Sequence, residues 1–569
     1  KKQQNALRGP LPSLYVQDTY HATPRLTLVA GLRYGPNVMP HDYFNRGVVF
    51  NMADFLSNTV SSVYPNAPAG MLYYGDKGVT RQFTKNSYGQ FSPNVGASFD
   101  PAGNGKTVIR AGGALMFDNP NFFTAQRNQQ NPPFATAVTN TQVSSSGPVL
   151  FSSPWSQGAF TTSPFPQPAV PTPSQALFFA QSQYIVMVQQ FKPAYTIQWT
   201  LSVQHEFGHG WQAQLDYIGN TTRRDPVGYT FDPAVFVPGV WGAGGTGCAG
   251  IVTTGPAAVK PGAAGTNCST TGNENSRFLL TQLNPNQGNQ IEGSGGGSVI
   301  VGDEGTANYN GLISSIQHRL SSTFSLLANW TWSKCLNIED AQGDLAGTTV
   351  ENPNKLAMDY GPCGSDYRHI ENVSLVTKSG FNAHLNQFEK FVINNWELAP
   401  LIHIQSGAPF TVTSGQDNSL TDIGNDRPNL IPGAHPYAEV KFHQSSGESN
   451  REYLNPNAFQ QVWQTAGCAS ATASGCSALG TYGNVSRNSF RGPKFFQMDA
   501  QISRIFPIHE SLALDLRLEA FNVLNHPNFA NPDAKVTDST FGQVSALASN
   551  GTNNTFGARV FQGAVKIKF

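Results

Sequence analysis

The strongest constraint in this sequence is the spacing between its period-two segments. Apolar and polar residues alternate over short stretches, the signature of a β-strand with one apolar and one polar face. These stretches come in pairs separated by a few residues, and the pairs are separated by long polar segments. Pairs begin near positions 13, 89, 194, 307, 369 and 495, and a last stretch closes the chain. A β-propeller would repeat at a constant interval of roughly 40–50 residues. A compact sandwich seldom carries connections longer than about 15 residues. Short turns on one side and long loops on the other are the pattern of a membrane β-barrel.

The closing stretch, Arg559 to Phe569, shows the pattern at its clearest. Phe561, Gly563, Val565, Ile567 and Phe569 fall on one face, and Gln562, Ala564, Lys566 and Lys568 on the other. Upstream, Leu14 to Tyr20 leads through a turn at His21-Ala22-Thr23-Pro24 into Leu26, Leu28, Ala30, Leu32 and Tyr34. Phe91, Val95, Ala97 and Phe99 pair with Ile109, Ala111, Gly113, Leu115 and Phe117 across Pro101 to Gly105. Tyr195, Ile197, Trp199, Leu201 and Val203 pair with Trp211, Ala213, Leu215 and Tyr217 across Gly208-His209-Gly210. Leu312, Ser314, Ile316 and Leu320 pair with Phe324, Leu326, Ala328, Trp330 and Trp332 across Ser321-Ser322-Thr323. Val373 and Leu375 pair with Trp396, Leu398, Ile402 and Ile404, where Pro400 weakens the strand pattern. Phe496, Met498, Ala500 and Ile502 pair with Leu512, Leu514, Leu516 and Leu518 across Pro507 to Glu510.

The expected fold is therefore all-β: an antiparallel up-and-down transmembrane β-barrel, partial, with about thirteen strands and long extracellular loops. The short turns and the C-terminus share the periplasmic side. Single-chain bacterial barrels have even strand numbers, so an odd count that starts from the outer side suggests that the N-terminal part of the barrel is missing.

Composition agrees. Only 12% of residues are charged, against roughly 25% in soluble domains, and polarity comes instead from uncharged residues with 56 Gly and 38 Pro. The formal net charge is zero, which implies no nucleic-acid partner. No apolar run reaches the roughly 18 residues of a membrane-spanning helix. Lys1 to Asn5 is followed by no apolar leader segment, which suggests a removed leader or a fragment.

Six cysteines form three pairs close in sequence: Cys248/Cys268, Cys335/Cys363 and Cys468/Cys476, all in segments read as loops. None has metal-type C-x-x-C spacing, and local disulfides from an oxidising compartment are expected over free thiols, although six cysteines allow 15 pairings. No catalytic constellation stands out. Asp366 to His369 has no nucleophile and reads as a strand end. His526 precedes Pro527, where a turn role outweighs metal binding. Asp515, Arg517 and Glu519 alternate on the inward face and read as a lumen ladder, since charges out of water must pair. Trp211, Tyr217, Trp330, Trp332 and Trp396, near strand ends, read as an interfacial girdle. The Gly293 to Gly297 run lacks the strand–helix context of a phosphate loop.

Several stretches resemble the C-terminal part of TonB-dependent transporters of the Oar-like type. They include Tyr15-Val16-Gln17-Asp18, Thr23 to Leu28, Gly31 to Tyr34, Ile109 to Gly112, Gln198-Trp199, Ser202 to Gln204 and Trp330 to Lys334. Gln405 to Phe410, Asp426 to Asn429 and Arg487 to Pro493 follow, and Glu519 to Phe529 is the most specific. The end is similar to the β-signal read by the barrel-assembly machinery, with Gln562 as its polar position and Ile567 and Phe569 as its apolar ones. Ala564 stands at the usual glycine position. The resemblance implies a 22-stranded barrel filled by an N-terminal plug, with residues 1–569 supplying its C-terminal part and neither plug nor TonB box. Contact with the TonB complex would then run only through a missing N-terminal region. The implied function is uptake of a bulky ligand across the outer membrane, with no enzyme activity and no cofactor. Outer-membrane lipid and an unidentified extracellular ligand are the implied partners. An adhesion or ligand-binding receptor without transport, and a secreted soluble all-β protein, are the alternatives.

Overall fold

The computed structural model describes residues 6–569 except 83, 120–121, 135–151, 153–169, 292, 294–296, 319–323, 341–349, 381–385, 425, 439–443, 446–447, 450–451, 510–511 and 549–556. Thirteen strands form its main sheet. They are β1 (Leu14–Thr23), β2 (Leu26–Tyr34), β3 (Phe91–Phe99), β4 (Thr107–Phe117), β5 (Tyr195–Gly208), β6 (Trp211–Thr230) and β7 (Val299–His318). There follow β8 (Phe324–Asn337), β9 (His369–Lys378), β10 (Trp396–Gln405), β11 (Phe495–His509), β12 (Leu512–Phe521) and β13 (Val560–Lys568). Each pairs antiparallel with the next in strict chain order. Two short strands attach to the sheet: Ile185–Met187 runs parallel to the start of β7, and Gly361–Pro362 pairs with the end of β8. Among the described residues, β1 and β13 each have one sheet neighbour and form its two edges.

The registers hold one side-chain face constant around the sheet. Leu26 pairs with Phe99, Val203 with Leu215, Ile316 with Ala328, Leu398 with Ile502, and Leu514 with Ile567. A one-residue slip at any interface would reverse this. The apolar face is open: Val95, Leu201, Val565 and Ile567 are all exposed. Trp199 on this face lies across Gly219, where an added Cβ would stand 2.3 Å from the indole. A ring covering a glycine fills the gap in the pleated surface.

Several boundaries differ from expectation. β1 continues through Thr23, leaving Pro24 and Arg25 as the turn, and β5 includes Gly208. β11 runs through Pro507 to His509 rather than turning at Pro507. Pro400 stays inside β10 and pairs with Ala500, while the β9–β10 ladder breaks off between Ser374–Leu401 and Thr377–Leu398. A proline without N–H is tolerated where one ladder can be interrupted. The turn at Ser321-Ser322-Thr323 and Leu320 lie outside the described residues, as do Glu510, most of Ser152 to Pro173 and part of Gly293 to Gly297.

β6 and β7 have 20 residues each and β8 has 14. About 9–11 suffice to cross a bilayer, so these strands rise past it at the long-loop end. Trp330, Trp332 and Tyr217 are therefore mid-strand rather than near strand ends, whereas Trp211 and Trp396 do open their strands. Cys335 likewise lies on β8, not in a loop.

The long connections fold into packed bodies rather than extended polar loops. One core gathers Val48, Phe55, Tyr64, Met71, Tyr73, Tyr184 and Leu280. Another gathers Phe410, Val412, Leu454, Phe459, Phe490 and Phe541. At the opposite end most connections are a few residues. The exception is 379–395, which carries helix α1 (Gln387–Ile393).

Candidate functional site

The site lies where the polar face of the sheet meets the packed loops. β10 and β11 direct Leu401, His403, Gln405, Gln497 and Asp499 to that face, because the alternate residues Leu398, Ile402, Met498 and Ile502 form the apolar one. A cavity of about 540 Å³ opens here, with Tyr367, Phe495, Phe529 and Asn531 from the loop side and strand ends completing its wall. The polar groups are held in place by one another. His403 Nδ1 and Asn372 Oδ1 are 2.7 Å apart, and His403 Nε2 lies 3.2 Å from Gln405 Oε1. Gln497 Nε2 donates to both oxygens of Asp499, at 2.9 and 3.0 Å. The Phe495 ring stands edge-on to His403, centroids 5.6 Å apart. Aromatic rings beside fixed amide, imidazole and carboxylate groups give the wall both apolar and hydrogen-bonding surface.

The roof above the cavity is fastened by the stretches that carried the resemblance. Gln405 to Phe410 leaves β10 and enters the loop core, where Pro409 and Phe410 pair with Arg491 and Phe490. Gly407 abuts the backbone of Gly492 so closely that a Cβ would fall 1.7 Å from its carbonyl oxygen. Arg427 bridges Asp359 at 2.6 Å and Glu351 at 2.5 Å, all three buried. Arg487 bonds Asp340 at 2.7 Å and the Asp359 carbonyl at 2.7 Å. Arg491 pairs with Asp366, whose other oxygen accepts the Cys335 N–H at 2.7 Å. Asp366 is thus a buried fastener, and His369 opens β9 and stacks on Trp330. Buried ion pairs of this kind resist loss of one partner more than they add net stability.

Glu519 to Phe529 forms the strand-to-loop knot above β12. Asn522 and Asn525 adopt positive φ, +49° and +51°, where asparagine is tolerated better than most residues. Asn522 Nδ2 donates to the carbonyls of His526 and Gly557, and its Oδ1 accepts the His526 N–H. Asn522 N–H donates to Asp499 in the cavity wall at 2.8 Å, which ties knot and cavity together. His526 packs edge-on to Phe496. Among the described residues no group of three or more His, Cys, Asp or Glu side chains is placed to hold a metal ion.

On the polar face Asp515 lies 3.0 Å from both Arg517 and Lys568 and is buried beneath them. Glu519 sits one step along that face, opposite Gln562 of β13. Ile567 and Phe569 are exposed on the apolar side at the edge. The disulfides join Cys248 to Cys268, Cys335 to Cys363 and Cys468 to Cys476, each with Cα atoms 5.4–5.8 Å apart.

A second cluster had no signal in the sequence. In the roof, Glu274 faces Asp417 and Asp422 with Arg277 beside them; burial first, and then the two neighbouring acids, push its carboxyl up to about 8. Burial likewise pushes Asp426 up to about 7, although the Ser419 N–H donates to it at 2.6 Å. Arg277 spends its guanidinium on the carbonyls of Val235, Leu420 and Thr270.

Three solved structures similar to the chain are the following. The outer membrane transporter YddB from Escherichia coli is 9% identical with a TM-score of 0.42, the match covering 98% of this chain and 45% of that one. The copper transporter OprC is 10% identical, TM-score 0.39, covering 98% and 49%. The pyoverdine outer membrane receptor FpvA from Pseudomonas aeruginosa PAO1, bound to pyoverdine, is 9% identical, TM-score 0.38, covering 97% and 41%. The chain spans less than half the length of each of these structures. No curated protein matches it. Residues 1–562 match the family described as outer membrane beta barrel domain. The chain belongs to that family and is an integral β-barrel protein of the outer membrane, its apolar strand face turned to lipid.

Proposed function

We propose that residues 1–569 supply the C-terminal part of the barrel of a TonB-dependent transporter of the Oar-like type, which takes up a bulky, hydroxyl-rich ligand such as a carbohydrate fragment. The observation that carries this is the cavity itself. It is walled by lumen-facing side chains of β10 and β11 and by the roof, so a ligand held by the outer loops would lie against the inside of the barrel. The two open edges support a larger barrel, because an unpaired strand edge in hydrocarbon leaves its N–H and C=O groups unsatisfied. In this reading the TonB complex and the plug act through segments outside residues 1–569, and the barrel-assembly machinery reads Gln562, Ile567 and Phe569.

The test uses cells producing the full-length protein and fluorescein-labelled oligosaccharides too large for passive diffusion through porins. Internalisation that depends on the protein, stops with a protonophore and falls in His403→Ala or Asp499→Asn supports transport through this site. Surface binding without internalisation overturns transport in favour of an adhesion or receptor role. Binding that ignores both substitutions removes the cavity from the account.

A further inference from the structure

We infer that α1 (Gln387–Ile393) is an anchor lying in the phospholipid interface of the periplasmic leaflet, outside the barrel wall and continuous with its lipid-facing side. Its position is fixed by Arg504. Arg504 is on the apolar face of β11, opposite Trp396 of β10 and two residues from the lipid-facing Ile502. Its guanidinium sits 5.1 Å from the ring of Phe391, 5.2 Å from Trp396 and 4.4 Å from Phe506. The helix is therefore folded against the outer surface of the barrel at the short-turn end, with Arg504 and the rings of Trp396 and Phe506 beneath it and its own Phe391 touching them.

The helix leaves an apolar stripe exposed beside the wall. Phe388, Phe391 and Val392 have the i, i+3, i+4 spacing of one helix face and are 74%, 57% and 45% exposed. Glu389 and Lys390 take other sides. Seven residues are too few for a helix stable on its own, so its ends must be satisfied locally. Asn386 and Glu389 form a capping box at the N-terminus. At the C-terminus the Lys390 carbonyl accepts the Asn394 N–H, and the Ile393 carbonyl accepts Ser379 Oγ at 2.6 Å. The Val392 carbonyl accepts Trp396 Nε1 at 2.9 Å and Arg504 at 3.1 Å. Those bonds satisfy the Glu389 N–H and the Lys390, Val392 and Ile393 carbonyls, which lowers the cost of placing the helix ends against lipid. A cation at the helix C-terminus also complements the dipole. An arginine on a lipid-facing strand is costly at the bilayer midplane and nearly free near the interface, which sets the depth of α1 at the boundary between headgroups and acyl chains.

The occupant of the stripe is phospholipid because Phe391 and Val392 adjoin Arg504 and Trp396 on the same outward face as Leu398 and Ile502. The six cysteines of residues 1–569 are all disulfide-bonded, so a cysteine introduced there is the one reactive thiol of this stretch. Phe388→Cys and, separately, Val392→Cys of the full-length protein are labelled with a nitroxide in purified outer membranes, with Leu398→Cys as lipid reference and Lys390→Cys as water reference. Retained heat-modifiable gel mobility certifies each barrel as folded. The expected result is frequent collision with oxygen and several-fold fewer with a water-soluble nickel chelate at 388 and 392, as at 398. Nickel access equal to that at 390 overturns the proposal in favour of a solvated turn. Low collision with both reagents also overturns it, and assigns the stripe to a protein partner or a second copy of the chain.

Discussion

A carboxyl pushed up to about 8 in a loop roof ties that roof to pH. Glu274 gains protons on folding relative to an ordinary glutamate near 4.5, since burial and the charges of Asp422 and Asp417 oppose its ionisation. A raised folded value means that the contribution is complete below about 4.5 and is lost as pH climbs through about 8. The roof is therefore expected to open more readily to protease at pH 9 than at pH 5.5, the nicks falling in 231–298 and 406–438. Glu274→Gln, neutral throughout, should flatten most of that difference. A Gln variant with an undiminished pH dependence would remove Glu274 from the account. Sequence alone could not show this cluster: Glu274 and Asp417 are far apart in the chain and neither lies in a periodic segment. The fasteners behave alike. Arg427 and Glu351 stand 76 residues apart, so Asp426 to Asn429 was visible as a stretch with a resemblance but not as one half of a buried bridge.

At the scale of elements, legibility follows the range of the forces involved. Side-chain alternation along a strand is local, so apolar-face residues could be read off in order for β2 to β13, while β1, which carries Asp18 on the same face as Leu14, Val16 and Tyr20, gave only a range. What alternation cannot show is where a strand leaves the membrane, since the same pattern continues in water; hence β6, β7 and β8 run further than expected. α1 did leave a local trace, Asn386 followed by Glu389 three residues on before Phe391-Val392-Ile393, a capping-box signature. The Cys335–Cys363 disulfide belongs at this scale because it staples the outer extension of β8 to the short strand at Gly361–Pro362. Closing a loop with a sequence separation of 28 residues restricts the unfolded chain by about 3–4 kcal/mol in the chain-entropy account. Replacing both cysteines by serine should lower the melting temperature of the roof while the membrane strands keep their heat-modifiable mobility. Equal loss of both would show that the extension and the barrel melt as one unit.

The whole molecule rests on two solvents meeting one sheet. Arg504 and Ile502 both stand on the outward face of β11, yet the arginine is buried under α1, Trp396 and Phe506 while the isoleucine is 40% exposed. If the outward face is solvated by hydrocarbon, a charge is tolerated there only with such cover or near the interface. Ile502→Arg, placed two residues further from the short-turn end and between Leu398 and Leu518, should then cost about 1–2 kcal/mol, between the interfacial and midplane values. Gln501→Arg, its neighbour in sequence, points to the polar face beside Ser503 and should cost a small fraction of that. Urea titration of the two variants in lipid vesicles, read by heat-modifiable mobility, measures the asymmetry directly. In a sheet wetted on both sides, or dry on both, adjacent positions would respond alike, and only a strand dividing lipid from water makes one residue's step along the chain decide whether an arginine is ruinous or harmless.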